Sequence, residues 1–147
     1  MIKKVKTMAF TLERAISASP AEVYQAWLDP KNPATPWNDS EKLIFNPKVD
    51  GMFYFRHLSE NNQPLPHAGR FTALKRARKI QYTWMSRHTQ GLESVVTVTL
   101  RPKGRDTLLT LNHANLPDNP MGRKHNWGWN YFLGAFSDRF AGKRGKR

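Results

Sequence analysis

Apolar residues alternate with polar ones from Met8 through Phe10 and Leu12 to Ile16, the period of a strand that buries one face. The stretch "SASPAEVYQAWLDP" changes the period. Ser19 stands as an N-cap, Pro20 takes the favoured first helical position and Glu22 completes a capping box. A short helix is predicted there, with Val23, Ala26 and Trp27 inward, ending at "DPKNP". A second irregular or helical piece is expected to reach Trp37. From residue 43 the chain returns to strands: "KLIFNP", "MFYFRHL", "HAGRFTALK", "KIQYTWMS", "LESVVTVTLRP" and "TLLTLNHA" are rich in β-branched and aromatic residues. "DG", "KRARK" and "RPKGRD" read as their connections. Six such runs after the first strand predict a seven-stranded antiparallel meander.

"KHNWGWNYFLGAFSDRF" restores the helical period. At 100° per residue, Trp129, Phe132, Leu133, Phe136 and Phe140 share an arc of about 100°, a face that packs on a sheet. Trp127 and Tyr131 fall on the far side, four residues apart, where they are candidates for a two-fold homodimer contact. Gly128 costs ~1 kcal/mol inside a helix, so close approach to another backbone or to a ligand is expected there. Asn126, Asn130, Asp138 and Arg139 interrupt the helix, which has no lysine-rich polar face, so an interfacial membrane helix is not expected. No run approaches the ~18 apolar residues of a membrane span.

At 147 residues the chain suits one domain. We expect a basic tail at 1–7, the folded domain at 8–141 and a second basic tail at 142–147. The formal net charge is +13; three of the charges sit in "IKKVK" and four in "GKRGKR", which leaves +6 for the body. The absence of cysteine excludes disulfides, thiolate nucleophiles and cysteine-based zinc sites. "MIKKVKTMAF" has the charge of a signal n-region, but no apolar stretch follows, so the expected location is the cytoplasm.

The pieces "FTLERAISASPAEVYQAWLDP", "VDGMFYF", "AGRFTALKRARKIQYTW", "VTVTLRPKGRDTLLTLNHANLP" and "HNWGWNYFL" occur in an order that resembles a known family. It comprises bacterial proteins related to the C-terminal domain of the activator of the ninety-kilodalton heat-shock-protein ATPase, within the START / Bet v 1-like (SRPBCC) superfamily. The chain reads Gly51-Met52 where that family usually has paired glycines, and keeps only Trp37 where relatives often carry two tryptophans. The resemblance implies an α+β helix-grip fold. A curved antiparallel sheet of seven strands would wrap a long C-terminal helix, with two short helices between the first two strands and an apolar cavity under the long helix. The superfamily includes lipid carriers, hormone-binding proteins, polyketide cyclases and a co-chaperone domain, so the fold does not choose a function.

No G-x-S-x-G, H-E-x-x-H, phosphate-binding loop or dinucleotide fingerprint occurs, and no spaced acid pair suits proton transfer. No catalytic residue, metal ligand set or cofactor is therefore assigned. In a meander, His57, His67 and His88 belong near one end, and His113 finishes the last strand there. His113 follows the inward Leu109 and Leu111 by the period of two, which suggests a polar contact to ligand or water. Arg14 is read either as a rim cation or as a charge reaching into the cavity.

The expected ligand-binding set is Trp37, Tyr54, Phe71, Trp84, His113, Trp129 and Leu133. The opposite end gathers Lys48, "KRARK" and "RPKGR", a solvated end or a site for an acidic protein. Nucleic acid fits less well, because those basic turns lack interleaved aromatic residues. The leading expectation is a binding protein for a small apolar or aromatic ligand. A co-chaperone-like interaction module and a polyketide cyclase-like enzyme are the alternatives.

Overall fold

The structure is a computed structural model, and it describes residues 6–32, 35, 37, 41–58 and 61–144. In chain order the elements are β1 (Thr7–Ile16), α1 (Pro20–Trp27), β2 (Glu41–Phe45), β3 (Met52–Leu58), β4 (Pro64–Lys75), β5 (Lys79–Ser86), β6 (Ser94–Lys103), β7 (Asp106–Pro117) and α2 (Pro120–Arg144). A single 3-10 turn, Arg87–Thr89, links β5 to β6. The strands form one antiparallel sheet in the order β1-β7-β6-β5-β4-β3-β2. The meander thus runs from β2 to β7, and β1 closes it by pairing with β7. Register shifts in the β1–β7, β2–β3 and β4–β5 pairs bend the sheet around α2, as bulges do. This is the helix-grip architecture.

Local chemistry accounts for the boundaries. Ser19 Oγ accepts from the Glu22 amide and the Glu22 carboxylate accepts from the Ser19 amide, both at 3.2 Å, so two N–H groups at the start of α1 find partners. Gly51 closes the β2–β3 turn at a point where any side chain would collide with the Asn46 carbonyl. The second short helix expected before β2 falls on residues 33–40, most of which lie outside the described residues.

The inner face of the sheet carries Phe53, Phe55, Phe71, Ile80, Tyr82, Trp84, Val96, Val98, Leu109 and Leu111, all buried. From α2 come Trp129, Leu133, Phe136 and Phe140, as the helical wheel predicts. Val23 and Trp27 of α1 are fully buried between the two layers. The Trp27 ring stacks on Trp129 at 6.2 Å and meets Phe132 and Phe136 edge-on at 5.3 Å. The short helix therefore holds the long one against the sheet. Trp127 and Tyr131 remain on the outer face, 66% and 72% exposed, and stack on each other at 5.8 Å.

Candidate functional site

The aromatic residues of the inner face divide into two groups. Around Trp37, the rings of Phe45, Phe53, Phe55, Phe71 and Tyr82 lie with centroids 5.0–6.2 Å away, mostly edge to face. The Trp37 indole N–H donates to the Trp27 carbonyl at 2.7 Å. Among the described residues these rings pack closely, and all but Phe45 are buried.

The second group does not close. Trp84 from β5, His57 from β3, and His125, Gly128, Trp129 and Phe132 from α2 surround a slot of about 220 Å³ whose walls are almost wholly apolar. A recess of about 200 Å³ continues it past Gly128 to His67, His88, Met121, Lys124 and Trp127. Trp84, His125 and Gly128 border both parts. A side chain at Gly128 would meet nothing within 4 Å. The expected backbone approach is therefore not the reason for this glycine, which instead leaves the slot open.

His113 forms the buried end of this site. Trp129 Nε1–H donates to His113 Nδ1 at 2.9 Å, so Nδ1 carries the lone pair. His113 Nε2–H then donates to Ser94 Oγ at 2.8 Å, and the Ser94 hydroxyl passes its own proton to the Trp84 carbonyl. Every donor in the chain has an acceptor only if the imidazole is neutral. Burial first, and His125 second, hold the His113 pKa down to about 3. His113 is fully buried with both nitrogens spent inside the fold. The polar contact to ligand or water expected of it is not what this geometry offers.

His67 is likewise neutral, its pKa lowered to about 3 by burial and by His57. Its ring stacks on Phe55 at 4.8 Å, and Nδ1–H donates to the Leu65 carbonyl at 3.1 Å. His125 sits one helical turn before Trp129. Its Nδ1 faces the carbonyls of Met121 and Gly122 at 3.0 and 3.2 Å, so Nδ1 bears the proton and Nε2 the lone pair. Burial lowers the pKa of His125, and burial with Arg87 and Lys124 lowers that of His88. Among the described residues, no group of three histidines or carboxylates is arranged to hold a metal ion.

Of the seven residues expected to bind a ligand, the structure brings Trp84 and Trp129 together at the slot, with ring centroids 5.6 Å apart. Trp37 and Phe71 belong to the first group, and Leu133 is fully buried on the sheet-facing side of α2. Tyr54 lies on the other face of the sheet. Phe53 and Phe55 are buried, so Tyr54 alternates outward with Met52 and pairs across the strands with Ile44 and Ala68. Arg14 is on the inner face of β1 and donates to the Asn130 carbonyl at 3.3 Å, away from the slot. Sequence reasoning put His57 at the end of the sheet where the slot opens without naming it among the ligand-binding residues, and it missed His125 and Phe132. For His125 a signal existed: it precedes Trp129 by four residues, which puts both on one helical stripe.

Comparisons with known proteins agree on the fold. The family model described as Activator of Hsp90 ATPase homolog 1-like protein matches residues 17–141. A protein of Chromobacterium violaceum is 25% identical with TM-score 0.77, over 90% of this chain and 96% of its own. An HSP90 activator from Plasmodium falciparum is 23% identical with TM-score 0.68, over 86% and 91%. The Aha1 dimer from Colwellia psychrerythraea is 17% identical with TM-score 0.69, over 90% and 96%. No curated protein matches.

Proposed function

From the premise that the chain belongs to the Activator of Hsp90 ATPase homolog 1-like family, we propose that it binds a small, flat apolar or aromatic molecule between α2 and the β3–β5 part of the sheet. The observation that supports this most is the apolar slot beside Gly128, a residue that weakens α2 and opens space without serving any contact in the fold. Its size suits one or two rings. Trp84, Trp129 and Phe132 line it, with the Trp129 ring 5.6 Å from Trp84 and 5.5 Å from Phe132.

Binding to the folded state alone raises the melting temperature by mass action. A library of one- and two-ring aromatic compounds should therefore raise it in the wild-type protein. Gly128→Leu, which fills the slot from the helix, should remain folded and lose those shifts. If no compound moves either protein, the binding reading is abandoned.

A protein-interaction role is a second reading, favoured by the family and by the basic end. Lys48, Lys75, Arg76, Arg78, Arg101, Lys103 and Arg105 are exposed there around the β2–β3, β4–β5 and β6–β7 turns. An acidic partner would bind this end with steep salt dependence. Self-association through Trp127 and Tyr131 belongs to the same reading, because the exposed stack on α2 has the composition of an interface anchor. A relative of the same fold is a dimer. Sedimentation of wild type and Trp127→Lys at low and moderate salt distinguishes a dimer from ordinary surface aromatics.

A further inference from the structure

We propose that the slot selects a ring bearing an acidic hydroxyl, a phenol, whose proton is shared with His125 Nε2. The inference rests on the binding reading above and names the ligand chemistry that the slot's polar atoms would recognise.

One polar atom of a residue on the walls, His125 Nε2, has no hydrogen-bond partner among the described residues. Because Nδ1–H is committed to the Met121 and Gly122 carbonyls, Nε2 presents a lone pair, and only a donor can satisfy it while the ring is neutral. His125 borders both parts of the slot. A hydroxyl donates to such a lone pair, whereas a methyl ether cannot donate and an ionised carboxylate has no proton for Nε2.

The charges favour an acidic hydroxyl over an alcohol. Lys124 of α2 borders the recess, and Arg87 and Lys124 both act on His88 of the 3-10 turn. His57 of β3, His67 of β4 and His113 of β7 complete the ionisable groups around His125, and no carboxylate lines either part of the slot among the described residues. His88, His125, His67 and His113 are held below their ordinary pKa, so near pH 7 these imidazoles are neutral, and His125 Nε2 accepts a hydrogen bond rather than carrying a proton. A cation near the ligand oxygen makes an acidic hydroxyl the stronger hydrogen-bond donor, and Nε2 accepts that bond. Trp84, Trp129 and Phe132 supply flat walls, which favour an aromatic carrier for the hydroxyl.

The test compares 4-nitrophenol with 4-nitroanisole, which replaces the hydroxyl by a methyl ether. The phenol and its anion absorb at different wavelengths, so absorbance reads both binding and ionisation. Wild-type protein should bind 4-nitrophenol about tenfold tighter than 4-nitroanisole, the order that one hydrogen bond supplies. His125→Phe keeps a ring in place and should remove that preference, read as the ratio of the two affinities within the same variant. Equal affinity for the two probes, or a preference that survives His125→Phe, overturns the inference and leaves the binding reading standing. If neither probe nor any larger aromatic compound binds, the binding reading falls and this inference with it.

Discussion

Trp37 and Gly128 sit at the centres of two aromatic regions under the same sheet. Five rings close on Trp37, and its one polar atom is used by the Trp27 carbonyl. Around Gly128, Trp84, Trp129 and Phe132 are of the same kinds, yet they leave a slot, and the polar groups beside them are histidines held neutral. Aromatic content alone therefore does not decide between core and cavity. A missing side chain on the helix and a rim of imidazoles make the difference.

The largest expected effect is acid sensitivity on the slot side. His67 and His113 are neutral when folded, with pKa values near 3, but take protons at about 6.5 when unfolded. Their contribution is whole above pH 6.5 and declines as the pH falls toward 3, at about 1.4 kcal/mol per pH unit for each. Urea unfolding at pH 7 and pH 5 should differ by on the order of 4 kcal/mol from this pair. Equal stability at the two pH values would mean that these histidines are not buried and neutral, and the contrast between the regions would lose its electrostatic half.

Next in size is Trp37→Ala, expected to cost ~3–5 kcal/mol, because a large ring leaves a closely packed site and the Trp27 carbonyl loses its donor. Phe132→Ala should cost less, about 1–2 kcal/mol, since its ring already faces open space on one side. Chemical denaturation of both variants compares the regions directly. Equal losses would mean that the slot is as well filled as the core.

The smallest effect is a gain. Gly128→Ala and Gly134→Ala each add a methyl group that meets nothing within 4 Å, so each should stabilise α2 by up to ~1 kcal/mol. Only Gly128→Ala should also weaken aromatic ligands, as titration calorimetry would show. A matching loss in Gly134→Ala would move the site away from Gly128.

Much of this architecture was legible because it is written in local periods. The alternation in β1, the capping box at Ser19 and Glu22, and the Trp129–Phe140 stripe all depend on neighbours within a few residues. Tyr54 was not legible. "MFYFRHL" is apolar on both sides, so alternation gives two faces without saying which is inward; pairing with Ile44 and Ala68 decides it. His57 and His113 were placed at the correct end, but a topology cannot say whether a ring nitrogen is spent. That depends on Ser94 and Trp129, remote in sequence. Whether rings interlock or leave a gap rests on distances below an ångström, which no pattern of residue types records.

The hydrogen-bonded sequence from Trp129 through His113 and Ser94 to the Trp84 carbonyl joins α2, β7, β6 and β5. Its members can hardly drift one at a time. Losing the imidazole strands the Trp129 indole N–H and takes a donor from Ser94 Oγ at once, whereas replacing all three side chains by apolar ones of similar shape removes only one donor, from the Trp84 carbonyl. Descendants of this chain should therefore keep the trio or exchange it as a unit, and intermediates holding two of the three should be rare and poorly folded.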